Sequence, residues 1–189
     1  MRRLLLLAVL PSLILAKDPL RVIHFAGWVS QHPDLVQMAN DLSRQEFERS
    51  PGIGMLSVTE MERLQARKDL SREVPEPPEA LALARSIKKR TIAWARLSSL
   101  EVEFVRPFWK PFWPEREWRM QADFFVYDSL KKGLRREVLE ADHSVGLGFA
   151  GFKGEDLYPA PDNERFRQSQ ILLRDLSEQM REVIEDGGN

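Results

Sequence analysis

The amino-acid sequence predicts one α+β domain, a small mixed β-sheet with helices packed on it, in the order β-α-β-α-α-β-β-β-α. Three observations lead there. Apolar residues recur at helical spacing in the first half of the chain and again at its end. Over residues 100–104 and again over 118–126 they alternate with charged or polar residues at a period of two. No stretch repeats another at domain size or marks a second boundary. A period near 3.6 marks a helix with one buried face, and a period of two marks a strand with a dry face and a wet one.

The first strand is "RVIHFAGWV", residues 21 to 29, rich in β-branched and aromatic residues. Pro33 and Asp34 open a helix in which Leu35, Met38, Ala39 and Leu42 share a face, and "SPG" at 50 to 52 stops it. "IGMLSV" predicts a short strand. Thr59 with Glu62 then has the spacing of a capping box for the helix "EMERLQARKDL". Pro75, Pro77 and Pro78 remove backbone donors, which predicts a connection over "REVPEPPEA". Beyond it Ala80, Leu83, Ala84 and Ile87 form the stripe of a second main helix, closed by the cations Lys88, Lys89 and Arg90, which suit a helix C-terminus.

The period then changes. Leu100, Val102 and Phe104 alternate with Glu101 and Glu103. Trp118, Met120, Ala122, Phe124 and Val126 alternate with Arg119, Gln121 and Asp123. "DSLKKG" turns that second strand into a third, "LRREVLEADHSV". A closing helix, entered through Pro161 and Asp162, carries Phe166, Leu173, Leu176, Met180, Val183 and Ile184 on one side. The helices are expected to cover one face of the sheet.

The chain opens "MRRLLLLAVLPSLILAKDP", with two arginines, an apolar run of about a dozen residues and Ala16 at its boundary. This pattern predicts a secretory signal peptide over 1–16 and a single mature domain over 17–189. The run is short of the ~20 residues a spanning helix needs. There is no cysteine, so disulfides, a thiol nucleophile and lipidation at the mature terminus are excluded. The 28 basic residues less Arg2 and Arg3 stand against 29 acidic ones, a mature charge of −3, which gives no electrostatic footing for nucleic acid.

The arrangement "VIHFAGW", a helix, "RSPGIGMLSVTEMERL", "ALALARSIKKRTIAWARL", the hairpin "QADFFVYDSLKKGLRREV" and a last amphipathic helix resembles a group of bacterial envelope modules. These are the CsgG secretion component, the amino-terminal domain of TolB and the lipoprotein activators of penicillin-binding proteins. The resemblance implies a non-catalytic envelope protein, periplasmic, that works by binding other proteins, with regulation of a cell-wall synthase as one variant. Lys17 stands where lipidated members carry cysteine, so acylation does not carry over. The connection between the first two hairpin strands is too short for a pair of membrane-spanning strands.

Four features are candidate sites. Gly146, Gly148 and Gly151 spell G-x-G-x-x-G, but the strand before them closes an antiparallel run and "FKGEDLYPAPDN" follows without a helical stripe, so no dinucleotide cofactor is expected. The segment "RPFWKPFWPEREW" repeats Pro-Phe-Trp, and its prolines predict an extended, stiff connection. Its aromatics each bury about 150–250 Å² when covered. The loop is therefore either a lid folded over an open sheet face or a sticky tip for an envelope protein or a lipid surface. Arg106, Phe108, Trp109, Phe112, Trp113, Arg116 and Trp118 are its contact candidates. His24, His32 and Asp34 match no compact metal-ligand spacing, so no metal is expected. Glu101 and Glu103 would sit ~7 Å apart on one strand face, a separation a small envelope hydrolase could use if a cleft raised the pKa of one. The sequence leaves the partner and the oligomeric state open.

Overall fold

The computed structural model describes residues 22–66, 75–148 and 160–186. In them a five-stranded mixed sheet carries four helices. The elements in chain order are β1 (Ile23–Val29), α1 (Pro33–Phe47), β2 (Ile53–Met55), α2 (Val58–Gln65), α3 (Pro77–Ser86), β3 (Thr91–Val105), β4 (Glu115–Asp128), β5 (Gly133–Gly146) and α4 (Asp162–Asp186). The sheet order is β2-β1-β3-β4-β5. β1 runs parallel to both β2 and β3, and β3, β4 and β5 form an antiparallel meander. The predicted order of elements is the observed one.

The helices do not share one face. Ala39, Leu42 and Phe47 of α1 and Leu172, Leu173, Leu176 and Met180 of α4 pack with Phe25, Ala93, Ala95, Trp118, Met120, Ala122 and Phe124. On the opposite side α2 and α3, through Leu64, Ala80, Leu83, Ala84 and Ile87, cover Ala26, Ile92, Trp94, Phe125 and Tyr127. One covered face is what the pattern alone implies, because only the outer half of the meander alternates. Its inner half, Ile92–Ala95 of β3 and Phe124–Phe125 of β4, is buried on both faces and shows no alternation. For the same reason β3 begins at Thr91, well before the alternation becomes visible at Leu100.

Three local details also differ from the sequence reading. The capping box of α2 is made by Ser57 and Glu60, not Thr59 and Glu62. The Glu60 N–H donates to the Ser57 hydroxyl at 3.3 Å and the Ser57 N–H to Glu60 Oε2 at 3.0 Å. β2 is correspondingly shorter than predicted. Pro77 and Pro78 belong to the first turn of α3, where a missing N–H costs no helical hydrogen bond. On α4, Leu173, Leu176, Met180 and Ile184 are buried but Phe166 is 60 % exposed.

Two irregularities shape the sheet. Gly27 has φ of 113° within a bulge of β1, and a Cβ there would lie 2.8 Å from both Asn40 Oδ1 and Met61 Cε. The bulge aims Trp28 into the first core, where its indole N–H donates to Ser43 Oγ at 2.7 Å. Ser43 in turn shares a 2.9 Å hydrogen bond with Ser177, joining β1, α1 and α4. A second irregularity falls between Leu97 and Ser99 of β3, where Ser98 is the extra residue against β4.

Candidate functional site

Residues 106–114 join β3 to β4 at the outer end of the meander, and their prolines do not hold them extended. The Lys110 N–H donates to the Pro107 carbonyl at 2.9 Å and the Trp113 N–H to the Lys110 carbonyl at 3.0 Å, two linked four-residue turns. Pro111 sits at the second position of the second turn, whose φ proline already satisfies. The Leu147 N–H donates to the Pro114 carbonyl at 2.9 Å, so the chain leaving β5 ties down the base of the loop.

The seven contact candidates fall into two groups. Phe108 is 88 % exposed, Trp109 67 % and Trp113 50 %, while Phe112 is half-buried. The Phe108 and Trp109 rings meet edge to face with centroids 5.0 Å apart. The Arg106 guanidinium lies 5.6 Å from the centre of the Phe104 ring, and Lys110 is exposed. Within 106–114 the only charged side chains are these two cations. Arg116 and Trp118, by contrast, are residues of β4 and are buried. Trp118 packs in the first core, and Arg116 forms an ion pair with Glu164 in the first turn of α4. The loop leaves Phe108, Trp109 and half of Trp113 exposed on a hydrogen-bonded base.

The acidic pair has no cleft. Glu101 lies opposite Arg119 and Glu103 opposite Glu117 on the uncovered face, around a depression of about 10 Å³. Both glutamates are exposed. Such a site excludes no water and gives neither carboxyl the separate environment that divides acid from base.

The histidines are dispersed. His24 sits on β1 between its neighbours Ile92 and Gly54. Burial, and then the charge of Lys89, push its imidazolium below the usual histidine range. His32 is the N-cap residue of α1, without a side-chain capping bond. Among the described residues no three of His, Asp and Glu gather as a metal site would require. Of the glycine motif, Gly146 ends antiparallel β5 and Gly148 has φ of 76°, while Gly151 lies outside the described residues.

A second concave feature has no signature in the sequence. On the face opposite α1 and α4, beyond the cover of α3, Asp123 of β4 accepts from Arg96 Nη2 at 2.6 Å and from the Ser98 hydroxyl at 3.0 Å. Its other oxygen accepts from Arg136 Nε at 3.0 Å and Nη2 at 2.6 Å. Both guanidiniums stand over the Phe125 ring, at 5.7 and 6.0 Å from its centre. They edge a cavity of about 560 Å³ closed on one side by Ser30–His32, the corner before α1. The signal was long-range: Arg96, Asp123 and Arg136 become neighbours only through the register of β3 on β4 and β4 on β5.

Fold and surface together define a small α+β module with a basic, aromatic hairpin tip. Among solved structures, the hypothetical protein CT253 from Chlamydia trachomatis superposes with a TM-score of 0.50 at 10 % identity, over 86 % of this chain and 97 % of its own. That likeness shows a shared fold. Bacterial lipoproteins also stand among the structural neighbours. A minor lipoprotein from Acinetobacter baumannii gives a TM-score of 0.43 at 11 % identity, over 89 % of this chain and 93 % of its own. The C-terminal domain of LpoB from Salmonella enterica gives 0.35 at 9 %, over 67 % and 82 %. No protein-family model matches the chain, and no curated protein matches it in sequence.

Proposed function

We propose that the chain is an exported, non-enzymatic binding or assembly module of the bacterial cell envelope, which acts through protein–protein contacts made by its hairpin tip. The observation that carries this reading is the outward display of Phe108, Trp109 and Trp113 on a loop whose base is hydrogen-bonded to the end of β5. Phe108 and Trp109, with the exposed half of Trp113, leave apolar ring surface in water whose burial a partner can supply. Aromatic anchors of this kind commonly dominate interface energy. Arg106 and Lys110 beside them fit an acidic protein surface. The signal-peptide pattern over 1–16 supports a periplasmic address for residues 17–189, and the order of elements supports kinship with the CsgG and TolB amino-terminal modules.

The test compares the immobilised chain with a Phe108→Ser, Trp109→Ser, Trp113→Ser variant in detergent extracts of bacterial envelope and with phosphatidylglycerol vesicles. The expected result is a retained envelope protein that the variant loses entirely, with an unchanged thermal unfolding midpoint. Vesicle binding without a retained protein would make the tip a lipid anchor. Equal retention by both forms would remove the tip from the interface.

A further inference from the structure

The cleft beside Asp123 has more positive charge than its structural role uses. One arginine neutralises a buried aspartate; here two do, and among the described residues Asp123 is the only acid that walls the cleft. The side chains of Asp123 and Arg96 are 5 % and 18 % exposed, so the surplus charge is held partly out of water, where an unmatched ion is costly. Arg136, at 51 %, forms the solvent side of the site.

The pair is also fixed in place. Arg136 clasps Asp123 through Nε and Nη2, Arg96 through Nη2 alone, and both rest on the Phe125 ring. Nη1 of each guanidinium is therefore held ready with little left to lose on binding. The bulge at Ser98 places the Ser98 hydroxyl on Asp123 and starts the shifted register, in which Ser99 lies opposite Gln121 on the cleft wall. A volume of about 560 Å³ lies within the range of small-ligand sites.

We propose that this cleft is a binding site for a single carboxylate, held by Arg96 and Arg136 and flanked by the polar side chains of Ser99 and Gln121. Guanidinium groups take carboxylates in planar, paired hydrogen bonds, and a net charge of +1 matches a monoanion. A phosphate dianion would bring a second negative charge against Asp123 and fits less well. The carboxylate belongs either to an acidic side chain of a peptide or to a free small acid. The site lies at mid-strand, apart from the aromatic tip, and stands or falls independently of it.

The experiment follows the amide resonances of the 15N-labelled chain during titration with an acetylated, amidated Ala-Glu-Ala peptide, with propionate and with inorganic phosphate. Saturable shifts at Ser98, Ser99 and Gln121 are expected with the two monocarboxylates. A tighter peptide identifies a protein side chain as the source, and tighter propionate identifies a free acid. Arg136→Gln, at a half-exposed position, should weaken binding about tenfold or more. Ser99→Trp should block it sterically without touching the charged triad. The proposal is overturned if neither carboxylate saturates, if phosphate binds more tightly than both, or if both variants bind as the unaltered chain does.

Discussion

Trp118→Ala lowers the unfolding free energy by about 3–5 kcal/mol, whereas Trp109→Ala leaves it within about 0.5 kcal/mol, although the two residues come from the same aromatic segment. Trp118 is fully buried, opposite Val102 on β3 and His143 on β5, and packs in the core that α1 and α4 close. Its indole nitrogen has no hydrogen-bond partner among the described residues, so packing carries its contribution. Truncation removes a large ring and leaves a cavity that a fifteen-residue strand on one side cannot collapse to fill. Against a total stability of about 5–15 kcal/mol the loss is large. Trp109 is 67 % exposed on a turn and meets the Phe108 ring edge to face. Urea midpoints of the two variants check the contrast, and comparable losses would show that the tip is part of the core.

Asp123→Ala costs about 3 kcal/mol, the lower end of the range for breaking a buried ion pair, because Arg136 is half in water while Arg96 is largely covered. Removing the carboxylate leaves two guanidiniums over Phe125 with no counter-charge. The pH dependence gives the second readout. Burial alone would raise the Asp123 carboxyl, but hydrogen bonds from Arg96, Arg136 and Ser98 outweigh it and hold the group below the usual carboxylate range. A folded pKa below the unfolded one, about 3.9, favours the ionised form. Its contribution is fully present above pH 4 and is lost as pH falls through the folded value. His24 behaves with the same sign in a higher window: its neutral form is favoured by the fold, so its share fades as pH drops below about 6.5. Asp123→Asn should therefore shrink the lower step in a plot of stability against pH, leaving the part that Glu60 contributes through its hydrogen bonds with Ser57, and should leave the upper step intact. A lower step of unchanged size would show that Asp123 does not set the acid limit.

The parts of this molecule legible in sequence are those whose physics is local. Helical stripes such as Ala80, Leu83, Ala84 and Ile87 identify their own buried face, and all four are buried as the spacing requires. The alternation of Trp118, Met120, Ala122 and Phe124 with Arg119, Gln121 and Asp123 gave the meander for the same reason. Where burial is two-sided, as in Ile92–Ala95, the pattern vanishes, and with it the second layer of helices. Arg116 reads as a loop residue because prolines precede it, and Trp118, although it opens the strand's alternation, falls among the contact candidates of the same aromatic segment. Strand pairing with Phe104, Val102 and β5 draws them into the sheet instead. The aromatic tip was visible as a repeated Pro-Phe-Trp, yet lid and tip differ only in where the rings point, which composition does not encode. The arginine pair on Asp123 was invisible because three strands and a bulge are needed to assemble it.

Photo-crosslinking from two exposed positions at opposite ends of the hairpin tests the central claim most directly. A benzophenone side chain replacing Trp109, and in a second variant Leu130, which is 65 % exposed in the turn between β4 and β5, is irradiated in intact cells. A discrete protein adduct from position 109 and none from position 130 is the result predicted for a chain that works by what its tip touches. Adducts of the same protein from position 130 alone, or none from either position, would contradict it.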